Sequence, residues 1–486
     1  MLGFLSRKKA AHPLADAKEF DRVLAALPAS EASAALDEVT AWSESLRALE
    51  SFQPNWLLGV LMRLDEVVRP HVRRLTRDYH GIPASERSRR QFRLWQIGRD
   101  HWREIVATYL KAIRALPAGD KSLRPLGCAR ALHAMRQLWK WNQYRYGPHE
   151  PDFWAQVGEL WLAGNGVSDM PLHLHGQTES SVAGELLKLA MLYASSTDSL
   201  LPQETEIAER LIDHLGHQFR LAPSVEGMSH LFEPGMPPRR LRKQLPSPTP
   251  HRRYFSAGSA VEAIRALHLR LTASSELPRD IDFGAQYAVR AVLPVIEHLE
   301  VCWAAAAPER RFERFPVKST ADVVRGMAEV VQRLEEGGGE GQQTWLVRDL
   351  SRGGVRLAAP SGGNQWLQIG SLLAIKPAEA NGWWLMVIRR MQRLTEGEIE
   401  IGAETLSTAT RPFLANSNGI VVRAVLLDAR DEKQHRMRVL VGPRDWDEGH
   451  PLVVEIDGGY ACLNPERLTE RGNDYVIADY RLEPMG

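Results

Sequence analysis

Between residues 30 and 230, apolar positions recur every three or four residues, the spacing that gathers them on one face of an α-helix. Trp56-Leu57-Leu58 with Leu61 and Leu64, the stretch from Phe92 to Leu116, Leu126 to Tyr146, and Val182 to Tyr193 all follow this rule. Helix starts are marked by Ser or Asp, or by proline in a first helical position, as at Pro202 after Leu201. The connections carry glycine and proline, as in His80-Gly81-Ile82-Pro83, Pro117-Ala118-Gly119 and Gly147-Pro148. No fixed period repeats along this region, so the pattern predicts an irregular helical bundle over residues 1–232 rather than a solenoid.

Residues 233–258 break the pattern. Prolines alternate there with Arg239, Arg240, Arg242, Lys243, Arg252 and Arg253, which predicts an extended Pro/Arg-rich linker. Residues 259–307 return to helical spacing, from Ser259 to Leu271 and from Ala285 to Ala305, the second with Pro294 inside it. After Pro316 the period shortens. Trp345 to Asp349 and Val355 to Leu357 read as strands about a Gly-Gly turn. Further strands are predicted at Leu372–Ile375, Trp383–Ile388 and Ile399–Glu404. One interruption is expected: Val323, Val324, Met327, Val330, Val331 and Leu334 stand at helical spacing, predicting a helix over Ala321–Leu334. Beyond Arg411, Gly419–Leu427, Arg436–Val441, Leu452–Ile456 and Tyr475–Tyr480 predict a second small β-unit over residues 411–486. The fold class is therefore α+β multidomain, with helices first and β-structure last.

Composition narrows the function classes. A chain of 486 residues exceeds one hydrophobic core, and 44% hydrophobic with 25% charged residues is ordinary for a folded protein. With 61 Lys+Arg against 60 Asp+Glu there is no global field to draw nucleic acid or anionic lipid, so an anion site has to be a local cluster. Three cysteines, Cys128, Cys302 and Cys462, make neither a disulfide framework nor a zinc site. No stretch has the length of apolar residues that a bilayer span requires, and the chain reads as cytoplasmic.

The chemistry concentrates at Arg310-Arg311-Phe312-Glu313-Arg314 and Asp349-Leu350-Ser351-Arg352-Gly353-Gly354. Arginine offers a planar fork to phosphate or to the Hoogsteen edge of guanine, while an Asp carboxylate accepts from guanine N1–H and N2–H. A serine hydroxyl can serve the same base, and glycine permits close backbone approach. Taken in order as R-x-x-x-R and D-x-S-x-x-G, the pair resembles the signature of the PilZ domain, a β-barrel that binds the bacterial second messenger cyclic di-GMP. The resemblance covers about residues 308–410 and implies a PilZ-like β-barrel there. It further implies that Arg310 and Arg314 wrap the ligand, that Asp349 and Ser351 hold guanine, and that Gly354 serves the turn, with Arg311 and Arg352 as auxiliary contacts. Gln368 to Leu373, Met386 to Arg390, and Ile401 to Glu404 resemble the family's later turn and strands.

Other clusters weigh less. Ten arginines between Arg69 and Arg103, interleaved with Tyr79, Phe92, Trp95 and Trp102, could grip nucleic acid, but their spacing fits a helix bundle with arginine outside and aromatics within. His173-Leu174-His175 with Glu179 is too small a set to predict a metal site. Trp139 to Tyr146 reads as the apolar load of a helix end. No Walker motif, H-E-x-x-H, G-x-S-x-G or dinucleotide-binding glycine motif is present, and no catalytic residue is assigned. The sequence thus reads as a cytoplasmic effector, not an enzyme. It needs no cofactor, takes cyclic di-GMP as ligand and engages an unidentified protein partner through its helices. The alternative is a ligand-independent scaffold with a degenerate barrel.

Overall fold

The computed structural model describes residues 12–83, 87–165, 171–175, 178–242, 249–274, 276–284, 286–306, 312–336, 342–364, 366–427, 436–456 and 459–484. The chain divides into two compact units, one of Met1–Arg145 and His149–Pro308, the other of Tyr146–Pro148 and Glu309–Gly486.

The first unit is built from α1 (Ala17–Ala26), α2 (Ala32–Ala48), α3 (Pro54–His80), α4 (Phe92–Ala115), α5 (Leu123–Gln143) and α6 (Phe153–Ala163). A hairpin of β1 (Leu172–His175) and β2 (Thr178–Ser180) follows, then α7 (Val182–Ala194) and α8 (Pro202–Leu215). Strands β3 (Arg220–Ala222), β4 (His230–Glu233), β5 (Met236–Arg240) and β6 (Arg253–Ser256) pair in the order β3-β6-β4-β5, before α9 (Ala260–Ala273) and α10 (Val289–Trp303). One apolar cluster runs through this unit from Leu14 to Trp303. Two of these strands correct the linker expected over residues 233–258. Met236-Pro237-Pro238-Arg239-Arg240 is the edge strand of the sheet, where proline's missing N–H is tolerated, and Arg253–Ser256 lies inside it. Lys243 lies outside the described residues.

Helix α5 is the centre of the bundle and is buried on nearly all sides, although Arg130, Arg136, Gln137 and Lys140 are among its buried residues. Charges so placed need partners: Glu66 of α3 lies 3.0 Å from Arg130, and α7 and α8 supply the carboxylates for Arg136 and Lys140. Arg136 pairs with Glu209 at 2.7 Å and with Asp213 at 2.9 Å, and lies 3.7 Å from Glu185. Lys140 reaches Glu206 at 2.7 Å and Glu209 at 3.3 Å. The aromatic tract at the end of α5 is core, with Trp139, Trp141 and Tyr144 all buried.

Four histidines are buried or largely so, and at each the cost of desolvation outweighs any neighbouring carboxylate. Burial pulls His80 and His230 down to about 4, and His101 and His149 to about 3. Their folded pKa lies below that of the unfolded chain, so the unfolded state takes up protons first as pH falls. Stability is therefore expected to be full above about pH 6.5 and to decline steadily towards pH 4. Thermal melts across that range check this; a midpoint unchanged between pH 7 and pH 4.5 would contradict it.

The second unit contains two closed six-stranded barrels. The first is β7 (Phe315–Arg325), β8 (Gln343–Ser351), β9 (Gly354–Pro360), β10 (Leu372–Pro377), β11 (Trp384–Arg393) and β12 (Glu398–Ser407), closed in the order β10-β11-β12-β9-β8-β7. The second is β13 (Arg411–Ser417), β14 (Ile420–Leu426), β15 (Arg436–Val441), β16 (Leu452–Ile456), β17 (Gly459–Arg471) and β18 (Val476–Pro484), closed as β13-β14-β15-β18-β17-β16. The helix expected over Ala321–Leu334 is half corrected. Val323 and Val324 belong to β7, Gly326 turns the chain at φ +74°, and only then does α11 (Met327–Glu336) begin. The first strand therefore starts directly after Arg314 and leaves that arginine next to the barrel.

Helix α11 closes a core that both barrels share. Its Met327, Val330 and Val331 pack with Val324, Leu372 and Val387 of the first barrel and with Val425, Leu440 and Ile477 of the second. Asp474, in the β17–β18 turn, accepts the Met327 N–H at 2.8 Å and so satisfies a free donor at the start of α11. Arg389 of β11 reaches Glu404 at 2.7 Å and Glu470 of β17 at 2.6 Å. No described helix is long and apolar enough to cross a membrane.

Candidate ligand site at the β8–β9 hairpin

Strand β8 alternates, with Trp345, Val347 and Asp349 at its buried positions. The first two are apolar. Asp349, at the end of the strand, places a carboxylate where the pleat has already put hydrophobes, and its side chain is only 6% exposed. The two residues Arg352-Gly353 join β8 to β9, pairing Ser351 with Gly354, Leu350 with Val355 and Asp349 with Arg356.

Two guanidiniums compensate Asp349. Arg356 Nη2 lies 2.6 Å from Oδ2, and Arg314 Nη1 donates to Oδ1 at 3.3 Å. Arg356 also lies 3.6 Å from Glu400 of β12. The two contacts differ in kind. Arg356 sits on the strand opposite Asp349 and is fixed by the ladder, whereas Arg314 approaches from the segment before β7 by one long bond, with 43% of its side chain exposed. Such an exposed pair holds Arg314 weakly, so this arginine is free to exchange its partner.

Ser351 Oγ donates to the Gly354 carbonyl at 3.0 Å, which ties the mouth of the hairpin and leaves the hydroxyl oxygen as an acceptor. The Phe312 ring packs over Gly353, and the Arg352 guanidinium lies 5.9 Å from its centre, so the arginine-bearing segment is held against the turn. Gly354 does not form the turn itself. It opens β9 opposite Glu404, where a Cβ would stand 2.4 Å from the Ala403 carbonyl oxygen. Its role is close packing of β9 on β12. Gly354→Val is accordingly expected to destabilise the second unit by roughly 2 kcal/mol or more, because the obstacle is backbone. Chemical denaturation measures this, and a wild-type midpoint would refute it.

Of the residues singled out in the sequence, Arg314, Asp349, Ser351, Arg352 and Gly354 come together at one end of the first barrel. Arg310 and Arg311 lie outside the described residues. Arg356 was missed, although a two-residue connection between Ser351 and Gly354 places it opposite Asp349 by counting alone. The remaining polar clusters lie elsewhere. His173 stands 3.8 Å from Glu179 across the β1–β2 hairpin, while His175 turns inward to within 3.9 Å of Asp65.

Residues 18–224 match the family model described as cyclic-di-GMP receptor FimW, N-terminal domain. No curated protein and no solved structure matches the chain. The matched stretch runs from α1 through β3 and ends before either barrel. The likeness therefore belongs to the helical unit, which is similar over most of its length to the N-terminal domain of a cyclic di-GMP receptor.

Proposed function

We propose that this protein is a cyclic di-GMP-binding effector rather than an enzyme, with the messenger held at the β8–β9 end of a PilZ-like first barrel. The observation that carries the reading is the Arg314–Asp349–Arg356 cluster, a buried carboxylate between one fixed and one exchangeable guanidinium. The likeness of the helical unit to a cyclic di-GMP receptor's N-terminal domain supports it independently, since the two regions do not overlap in sequence.

The ligand carries two phosphodiester charges and two guanines. Asp349, oriented by Arg356, accepts N1–H and N2–H of one guanine. Ser351 offers its hydroxyl oxygen to the same edge. Arg314 leaves Asp349 for a phosphate or a guanine O6/N7 edge, and Arg310 and Arg311 join it from the same segment. The exchange keeps every charge paired, so the carboxylate is not left buried and alone.

Because Arg310 to Arg314 follow α10 in sequence, a ligand held by these arginines would couple binding to the helical region, which serves as the partner-binding output. On this reading the protein would work in the cytoplasm of a bacterium, where the messenger is made. Calorimetric titration of cyclic di-GMP into the full chain tests the reading, with micromolar or tighter binding expected. Small-angle scattering of the same samples tests the coupling, which fails if saturated and free chains scatter alike. A folded chain that binds nothing would leave the barrel as a ligand-independent scaffold, for which the self-sufficient pairing of Asp349 already provides.

A further inference from the structure

The helical unit holds a cavity of about 330 Å³ walled by α3, α5 and α8, with Asp280 and Asp282 from the α9–α10 connection at its edge. That is the lower end of the range for small-molecule sites. We propose that this cavity is a second ligand site, independent of the hairpin site, which binds a phosphate group either as the free ion or as the ester of a small polar metabolite.

The argument is one of unmatched charge. Every carboxylate at the cavity is already paired. Glu206 is shared by Lys140 and Arg210, each at 2.7 Å, and Glu209 lies 2.7 Å from Arg136. Asp213 is 2.9 Å from Arg136 and 3.0 Å from Lys188. At the edge, Asp282 is 3.6 Å from Arg210 and Asp280 is 3.5 Å from Arg270. The cations are not all used. Arg69 and Arg73, four apart and hence on one face of α3, both line the cavity, and neither makes an ion pair or hydrogen bond among the described residues.

Arg69 is the telling residue. It is partly buried, and desolvation pulls its guanidinium below the ordinary value; Asp65 and Asp213 oppose that shift, but neither is within ion-pair distance. A guanidinium taken from water without a counter-ion is unfavourable, and a bound oxyanion removes the penalty. Two arginines one turn apart offer two guanidinium forks to one space, a donor set that suits the oxygens of a phosphate. Trp102 lines the same space, with an indole N–H that is buried and unbonded among the described residues. The space exceeds one phosphate ion, and the carboxylates at its edge suit the hydroxyls of an attached sugar-like body.

The test titrates inorganic phosphate, and separately ribose 5-phosphate, into the full chain and into Arg69→Ala/Arg73→Ala, following calorimetry and melting temperature. Saturable binding to the wild type that weakens at least tenfold in the double variant is expected, with the ligand-free melting temperature unchanged. Binding of the ion alone assigns free phosphate as the source; tighter binding of the ester assigns a phosphorylated metabolite. Equal binding by the two proteins, or none by the wild type, overturns the proposal. Cyclic di-GMP binding is expected to survive in the double variant. If it is lost there and kept in Arg314→Ala, the cavity is the messenger's own site and both assignments fall.

Discussion

Arg314→Ala is expected to leave a folded chain that binds cyclic di-GMP at least about 100-fold more weakly, corresponding to about 2.7 kcal/mol. Removing it forfeits charge-assisted bonds to the ligand, each worth roughly 1.5–3 kcal/mol. In the free protein the same side chain contributes one long, exposed contact to Asp349, a class worth about 0–1 kcal/mol. Affinity and stability therefore separate in this variant: calorimetry reads a large loss while the melting temperature stays close to that of the wild type. Asp349→Ala differs, because it strips Arg356 of its nearest partner and damages the hairpin as well. An Arg314→Ala chain that still binds in the micromolar range would remove the hairpin from consideration as the messenger site.

Arg136→Ala has the largest expected effect on stability, about 3–5 kcal/mol of unfolding free energy. The guanidinium is fully buried and faces Glu185, Glu209 and Asp213 together. Its removal opens a void and leaves the three carboxylates to Lys140 and Lys188. Burial alone would raise Glu185 and Asp213, yet the surrounding cations hold both below the usual carboxylate range. A depressed pKa supplies stability that is present above the unfolded value near pH 4 and lost as pH falls through the folded one. The variant loses that contribution, so its deficit is expected to be full from neutral pH down to about pH 5 and to narrow only below about pH 4. Urea titrations at pH 7 and pH 3 check both statements. A deficit below about 1 kcal/mol at pH 7 would mean that the lysines suffice.

Strands and helices were legible where burial is one-sided. β8 announces itself because Trp345 and Val347 alternate with polar residues, and α4 and α7 because their apolar spacing is helical. β13 and β17 were not foreseen, since most of their positions are exposed or half-buried and each carries a proline, Pro412 and Pro465. Met236–Arg240 was hidden for the same reason, an edge strand whose prolines read as a linker. The error over Ala321–Leu334 came from joining the valines of β7 to those of α11 across Gly326, whose left-handed backbone separates them. At the hairpin, residue type and order were enough to gather Arg314, Asp349, Ser351, Arg352 and Gly354. What they could not give was the state of Asp349, which depends on strand register and on Arg356. The cavity on α3 was less legible still: ten arginines between Arg69 and Arg103 look alike in sequence, and only packing separates the two that line a space from the others.

The core gathered around α11 bears on how the barrel unit could be inherited or borrowed. A fragment cut near residue 410 would contain all six strands of the first barrel, yet it would expose the apolar faces of Leu372, Val387 and α11 that Val425, Leu440 and Ile477 cover. Contiguous bare surface of that kind invites aggregation. The smallest transplantable piece is therefore the pair of barrels, and a recombination event that parted them would deliver an insoluble half rather than a portable domain.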